Sequence, residues 1–169
     1  MNSNRYNIRI LGFLVFFLVV PLASYAEYVN LNPSEACSFM SSNGMATRGY
    51  KNPDGVGYFC SSPYKEIGTG YPLKNNIAYY AEGDAGKVTK LKLVLNVYYK
   101  KEAKQAQTEL MKNAETLLKK ALKASLPKQA KDAILAGKSG KWKVGDVDIS
   151  VARENWPTGK GYEIKLRVE

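Results

Sequence analysis

The chain has 169 residues, 25 Lys+Arg against 15 Asp+Glu, and no histidine, with 45% hydrophobic and 24% charged residues. Such proportions belong to an ordinary folded domain and exclude a disordered chain or a collagen-like repeat. The missing histidine removes the commonest general base, metal ligand and near-neutral pH switch together, while the formal charge of +10 directs attention to acidic partners or surfaces.

Residues 2–9 form a short polar start whose side-chain charges are Arg5 and Arg9. Residues 10–20 are apolar apart from Gly12, Pro21 ends the run, and Ser24-Tyr25-Ala26 places small residues three and one positions before Glu27. This order predicts a cleaved secretory signal peptide over residues 1–26, cut between Ala26 and Glu27. The apolar run is shorter than the roughly 20 residues of a membrane-spanning helix. The product is then a single domain over 27–169 with 23 basic and 15 acidic residues, a charge of +8. Its two cysteines, Cys37 and Cys60, read as a disulfide in an oxidising compartment. No Asn-x-Ser/Thr acceptor occurs, which favours a bacterial exported protein, periplasmic first and extracellular second.

Asn32-Pro33-Ser34-Glu35 is a helix start, with Asn32 as N-cap and Pro33 in the first turn. That helix carries Ala36, Cys37, Phe39 and Met40 and stops near Gly44. After a Pro-Asp-Gly turn, residues 56–61 read as a strand and residues 62–72 as a loop punctuated by Pro63, Gly68, Gly70 and Pro72. Residues 77–81 and 88–99 form a hairpin around 82–86. In its long arm Leu91, Leu93, Leu95 and Val97 share one face, and Lys90, Lys92, Asn96 and Tyr98 the other, with Val94 out of pattern. Period two with one wet face predicts an antiparallel sheet covered on one side.

Residues 101–125 switch to helical period: Ala103, Ala106, Leu110, Ala114, Leu117 and Ala121 form one stripe, opposite Lys101, Lys104, Lys112, Lys119 and Lys123. Glu115 stands four before Lys119, the order that favours a helical ion pair. A shorter helix covers 128–136, with Gly137 as its stop. Trp142, Val144, Val147, Ile149 and Val151 read as one long strand with a bulge at Gly145-Asp146. After a loop over 155–161, Tyr162, Ile164, Leu166 and Val168 alternate with Glu163, Lys165 and Arg167. The predicted order is α-β-β-β-α-α-β-β: an α+β domain with a twisted antiparallel sheet of about five strands and one long amphipathic helix packed across it.

Gly137-Lys138-Ser139 has the tail of a phosphate-binding loop. Asp132 occupies the position where that motif needs glycine, and the segment closes a helix where the motif should open one. Asp146 and Asp148, two apart on the predicted strand, could form at most a weak ion site, and a solvated outer face is the simpler reading. Glu66, Glu82, Asp84 and Glu154 are the candidate carboxylates for glycoside hydrolysis, and no spacing singles any of them out.

Charge is unevenly placed: residues 27–86 hold 4 basic and 6 acidic residues, whereas 87–169 hold 19 basic and 9 acidic. The cations are mostly lysine, 20 against 5 arginines, which disfavours specific nucleic-acid readout, since forked recognition of phosphates and bases uses Arg. Aromatics interleave with these lysines, giving a candidate contact surface of Tyr80, Lys90, Lys92, Tyr98, Trp156 and Lys160. The plainer alternatives are half-buried strand tyrosines and a Trp156 folded back onto the sheet.

These residues predict an exported, non-catalytic protein, without cofactor or metal, that binds a partner protein as an inhibitor, immunity protein, adaptor or envelope-assembly factor. The alternative is a binder of anionic polymer or membrane surface through the Lys-rich C-terminal half, and a weaker one is a carboxylate-dependent hydrolase.

Overall fold

The computed structural model describes residues 30–169, so the signal peptide expected over 1–26 and the expected cut between Ala26 and Glu27 lie outside the described residues. In chain order the elements are α1 (Pro33–Ser38), β1 (Tyr58–Ser61), β2 (Lys65–Ile67), β3 (Asn75–Asp84), β4 (Lys87–Val97), α2 (Ala103–Leu122), α3 (Lys128–Ala136), β5 (Gly140–Val144), β6 (Val147–Asn155) and β7 (Tyr162–Val168). The fold is the expected α+β domain with an antiparallel sheet, here of seven strands in the order β1-β3-β4-β7-β6-β5, with β2 also paired to β3.

Two strands depart from the sequence expectation of about five. β2 lies inside the segment read as a loop, and pairs Lys65, Glu66 and Ile67 with Ile77, Asn76 and Asn75. With only three residues it offers no alternation to detect. The single long strand expected over 142–151 is two strands, β5 and β6, paired Val144 to Val147 through a two-residue turn. Gly145 takes φ +60° there, a left-handed conformation open to glycine at little cost. A parity slip in the apolar pattern fits such a turn as well as a bulge. Asp146 is consequently in the turn, while Asp148 on β6 pairs with Lys143 at 2.9 Å. The other hairpin is also tighter than expected: Asp84 pairs with Lys87 across Ala85-Gly86, and the irregularity falls between Glu82 and Gly83.

Alternation then determines which face is buried. Leu91, Leu93, Leu95 and Val97 of β4 meet Val168, Leu166, Ile164 and Tyr162 of β7, and all eight are buried in the core beneath the helices. The opposite face is polar. Val94 breaks the pattern on that side because it sits between Ala78 and Lys165, where both it and Ala78 are buried.

Three ties hold α1 down. The Asn32 side chain caps it by accepting from Ser34 N at 2.9 Å and Glu35 N at 3.4 Å. Cys37 is disulfide-bonded to Cys60 of β1, and the buried Tyr79 hydroxyl donates to the Ala36 carbonyl at 2.8 Å. On α2 the stripe members Ala106, Leu110, Ala114 and Leu117 are buried, as is Leu118 beside them, while Ala103 and Ala121 at its ends are partly buried. The helix ends at Lys123, in the left-handed region. Glu115 pairs with Lys131 of α3 at 2.5 Å and not with Lys119 in salt-bridge contact, so its charge joins two helices. Gly137 caps α3 in the left-handed conformation.

Candidate functional site

The six candidate contact residues belong to the polar side or one end of the sheet; five of them fall into two groups and Lys90 stands apart. Lys92 and Tyr80 form the first. The Lys92 ammonium lies 4.7 Å from the Tyr80 ring centroid and 2.5 Å from Glu82 Oε1, and the Tyr80 hydroxyl donates to the Tyr64 hydroxyl at 3.2 Å. Burial, followed by the bond to Tyr64, holds the Tyr80 phenol above its ordinary value. Lys90 turns away to Glu169, 3.2 Å distant. Both lysines thus already have internal anionic partners. The depression at Lys92, of about 440 Å³, is bounded by Val56, Tyr58 and Phe59 as well as Tyr80.

Tyr98, Trp156 and Lys160 form the second group, joined by Tyr71 and Pro72 from the end of the expected 62–72 loop and by Leu73 just after it. Tyr71, Pro72, Leu73, Tyr98, Trp156, Thr158 and Lys160 line a cleft of about 290 Å³. The Tyr98 and Trp156 rings meet at 4.7 Å with a 52° tilt. Tyr71 is 88% exposed and Leu73 56% exposed. A signal for these residues existed: Tyr71-Pro72-Leu73 is an apolar triplet among Gly, Thr, Lys and Asn.

Both walls of the cleft are fixed to the segment between β4 and α2. The Glu102 carboxylate accepts from Thr69 N at 3.0 Å, Thr69 Oγ1 at 2.8 Å and Gly70 N at 3.2 Å, and these bonds hold its carboxyl below the usual range. Asn75 and Tyr99 exchange two bonds: Asn75 Nδ2 donates to Tyr99 O at 3.1 Å, and Tyr99 N donates to Asn75 Oδ1 at 2.8 Å. Gly70 lies so close that a Cβ there would stand 2.5 Å from Tyr99 Cβ. This first wall carries the cis Tyr71–Pro72 peptide.

The second wall is the β6–β7 loop. Trp156 N donates to Gly161 O at 3.1 Å, and Gly159 N to Trp156 O at 2.9 Å. Lys100 Nζ donates to Gly159 O at 2.8 Å. A Cβ on Gly161 would meet the Trp156 ring at 2.3 Å and Val97 O at 2.4 Å. Trp156 therefore does fold back over the end of the sheet, and in doing so it forms a cleft wall.

The remaining candidate chemistry is placed elsewhere. Glu66 pairs with Lys74 at 2.6 Å, Glu82 with Lys92 at 2.5 Å, and Glu154 with Lys165 at 3.0 Å, while the backbone carbonyl of Asp84 accepts from the Tyr50 hydroxyl. Ser62 and Lys65 have the Ser-x-x-Lys spacing of one hydrolase class. Ser62 Oγ donates to Pro63 O and accepts from Tyr79 N, however, and Lys65 Nζ donates to Asn43 O. Among the described residues, no three Cys, Asp or Glu side chains are grouped to hold a metal ion, and no helix is long and apolar enough to cross a membrane. No family model, no curated protein and no solved structure matches this chain.

Proposed function

We propose that this chain is an exported, non-catalytic binding protein of a bacterial envelope, and that it seats a partner protein in the aromatic cleft. The observation that carries this reading is the 88% exposure of Tyr71 beside Leu73, Tyr98 and Trp156. Clustered exposed aromatics are the residues that dominate protein interfaces. Walls already held by Glu102, Asn75 and Lys100 lower the ordering cost of association. The leader-like start and the Cys37–Cys60 bridge support export, and the pairing of Glu66, Glu82 and Glu154 with lysines speaks for binding over hydrolysis.

The test is photo-crosslinking in the producing cell, with benzoylphenylalanine at position 71 and, separately, at position 112. The reading requires a discrete adduct from position 71 that disappears with Trp156→Ala. Adducts from position 112 alone, or from neither, overturn it.

A second reading places an anionic polymer or membrane surface on α2. Its support is that Glu102, Glu115 and Asp132 are engaged within the molecule, leaving Lys101, Lys104, Lys112 and Lys119 exposed.

A further inference from the structure

The cleft offers its ligand an uneven chemistry. Its walls are aromatic and aliphatic, its single charged lining group is Lys160, and no carboxylate lines it. The acid that holds the first wall, Glu102, is occupied by Thr69 and Gly70, and Lys100 adds a second cation against the loop at Gly159. Thr158 Oγ1 accepts from Lys160 N at 3.4 Å, and its hydroxyl proton remains available to donate. The polar edge of the cleft therefore presents an ammonium and a hydroxyl donor, a pairing that suits an anionic acceptor. At about 290 Å³ the cleft is at the lower limit of the roughly 300–1,000 Å³ of small-molecule sites, room for one bulky side chain and its neighbour.

We propose that the cleft recognises a short peptide segment in which a bulky apolar side chain adjoins a carboxylate. The apolar group enters between Leu73 and the Tyr98–Trp156 pair, and the carboxylate meets the Lys160 ammonium and Thr158 hydroxyl. This assignment rests on the reading of the cleft as a protein-contact site and adds the chemistry of the segment it takes. A glycan fits less well. The Tyr98 and Trp156 rings are tilted by 52° and form no shared flat platform, and the lining has no carboxylate or amide side chain to receive pairs of sugar hydroxyls.

The experiment is an NMR titration of the 15N-labelled protein, expressed from its full sequence and purified, with three probes: N-acetyl-L-phenylalanine, its neutral amide, and chitotriose. The Trp156 indole N–H and the Gly161 amide report on the cleft directly. Both phenylalanine probes should shift these signals, with the anionic one binding at least threefold tighter. Lys160→Gln should bring the two to equal affinity, and Tyr71→Ala should weaken both. Positions 71 and 160 are exposed, so both variants should keep the wild-type spectrum elsewhere. Equal affinity of acid and amide in the unaltered protein overturns the proposal, as does a preference that survives Lys160→Gln, tighter binding of chitotriose, or shifts confined to another surface. A crosslinked partner from position 71 combined with equal acid and amide affinities would leave the docking reading standing and remove only this ligand chemistry.

Discussion

Glu102, at the entrance to α2, receives both the backbone N–H and the hydroxyl of Thr69, 33 residues earlier in the chain, at 3.0 and 2.8 Å. This carboxylate holds the loop that displays Tyr71 and Leu73. Glu102→Ala should therefore speed amide exchange at Thr69 and Gly70 and weaken binding at the cleft, while the melting temperature moves little. Exchange rates equal to those of the unaltered protein would show that the loop is held by other contacts.

Removing the Cys37–Cys60 bridge should lower stability without changing the fold. It closes a 23-residue separation, for which chain entropy gives about 3.4 kcal/mol. For a domain of this size that corresponds to a fall in melting temperature on the order of 10 °C. Circular dichroism of the Cys37→Ser/Cys60→Ser protein checks it. The Tyr79 hydroxyl, which donates to Ala36 O, should keep α1 docked, and Tyr79→Phe alone should cost about 1 kcal/mol.

Gly161→Ala and Gly145→Ala separate two reasons for a glycine. The first would drive a Cβ into the Trp156 ring and Val97 O, which overpacks the cleft wall and should cost about 1–3 kcal/mol with a changed Trp fluorescence. The second meets open space but carries φ +60°, so it should cost about 1–2 kcal/mol and leave the fluorescence unchanged. Denaturant melts of both variants give the comparison.

Stability should form a plateau in pH with two edges. Glu102 and Glu115 are held below the usual carboxyl range, Glu102 first by its bond from the Thr69 side chain and Glu115 first by its bond from Lys131. Below about pH 4.3 the unfolded chain takes up protons that these folded carboxylates resist, so stability falls with falling pH, shallowly because both groups lie at the surface. Burial raises the phenols of Tyr79 and Tyr162. Above about pH 10 the unfolded chain loses protons that the folded one keeps, and stability falls again. With no histidine in the chain, melting temperatures should be flat between these edges. A midpoint near pH 6.5 would contradict this account.

If the α2 lysines engage a polyanion, retention on heparin should fall steeply with salt, and replacing Lys104, Lys112 and Lys119 with Gln should reduce it. Unchanged retention would place any polyanion affinity elsewhere.

The elements most legible in the sequence were those whose pattern is long. β7 alternates through Tyr162, Ile164, Leu166 and Val168, and all four are buried. α2 carries its apolar stripe for 20 residues. β2 is not legible because three residues hold no period, and β5 and β6 read as one strand because a two-residue turn shifts parity as a bulge does. For the cleft, Tyr98, Trp156 and Lys160 were identifiable by residue type. Their joining to Tyr71 and Leu73 depends on Glu102 reaching back to Thr69, a long-range contact that no local pattern encodes.

Both cleft walls hang from residues 99–102, directly after β4, and β4 is flanked by β3 and β7. A tether drawn through this cleft would transmit its force into an interior strand, braced on either side by ladders of hydrogen bonds.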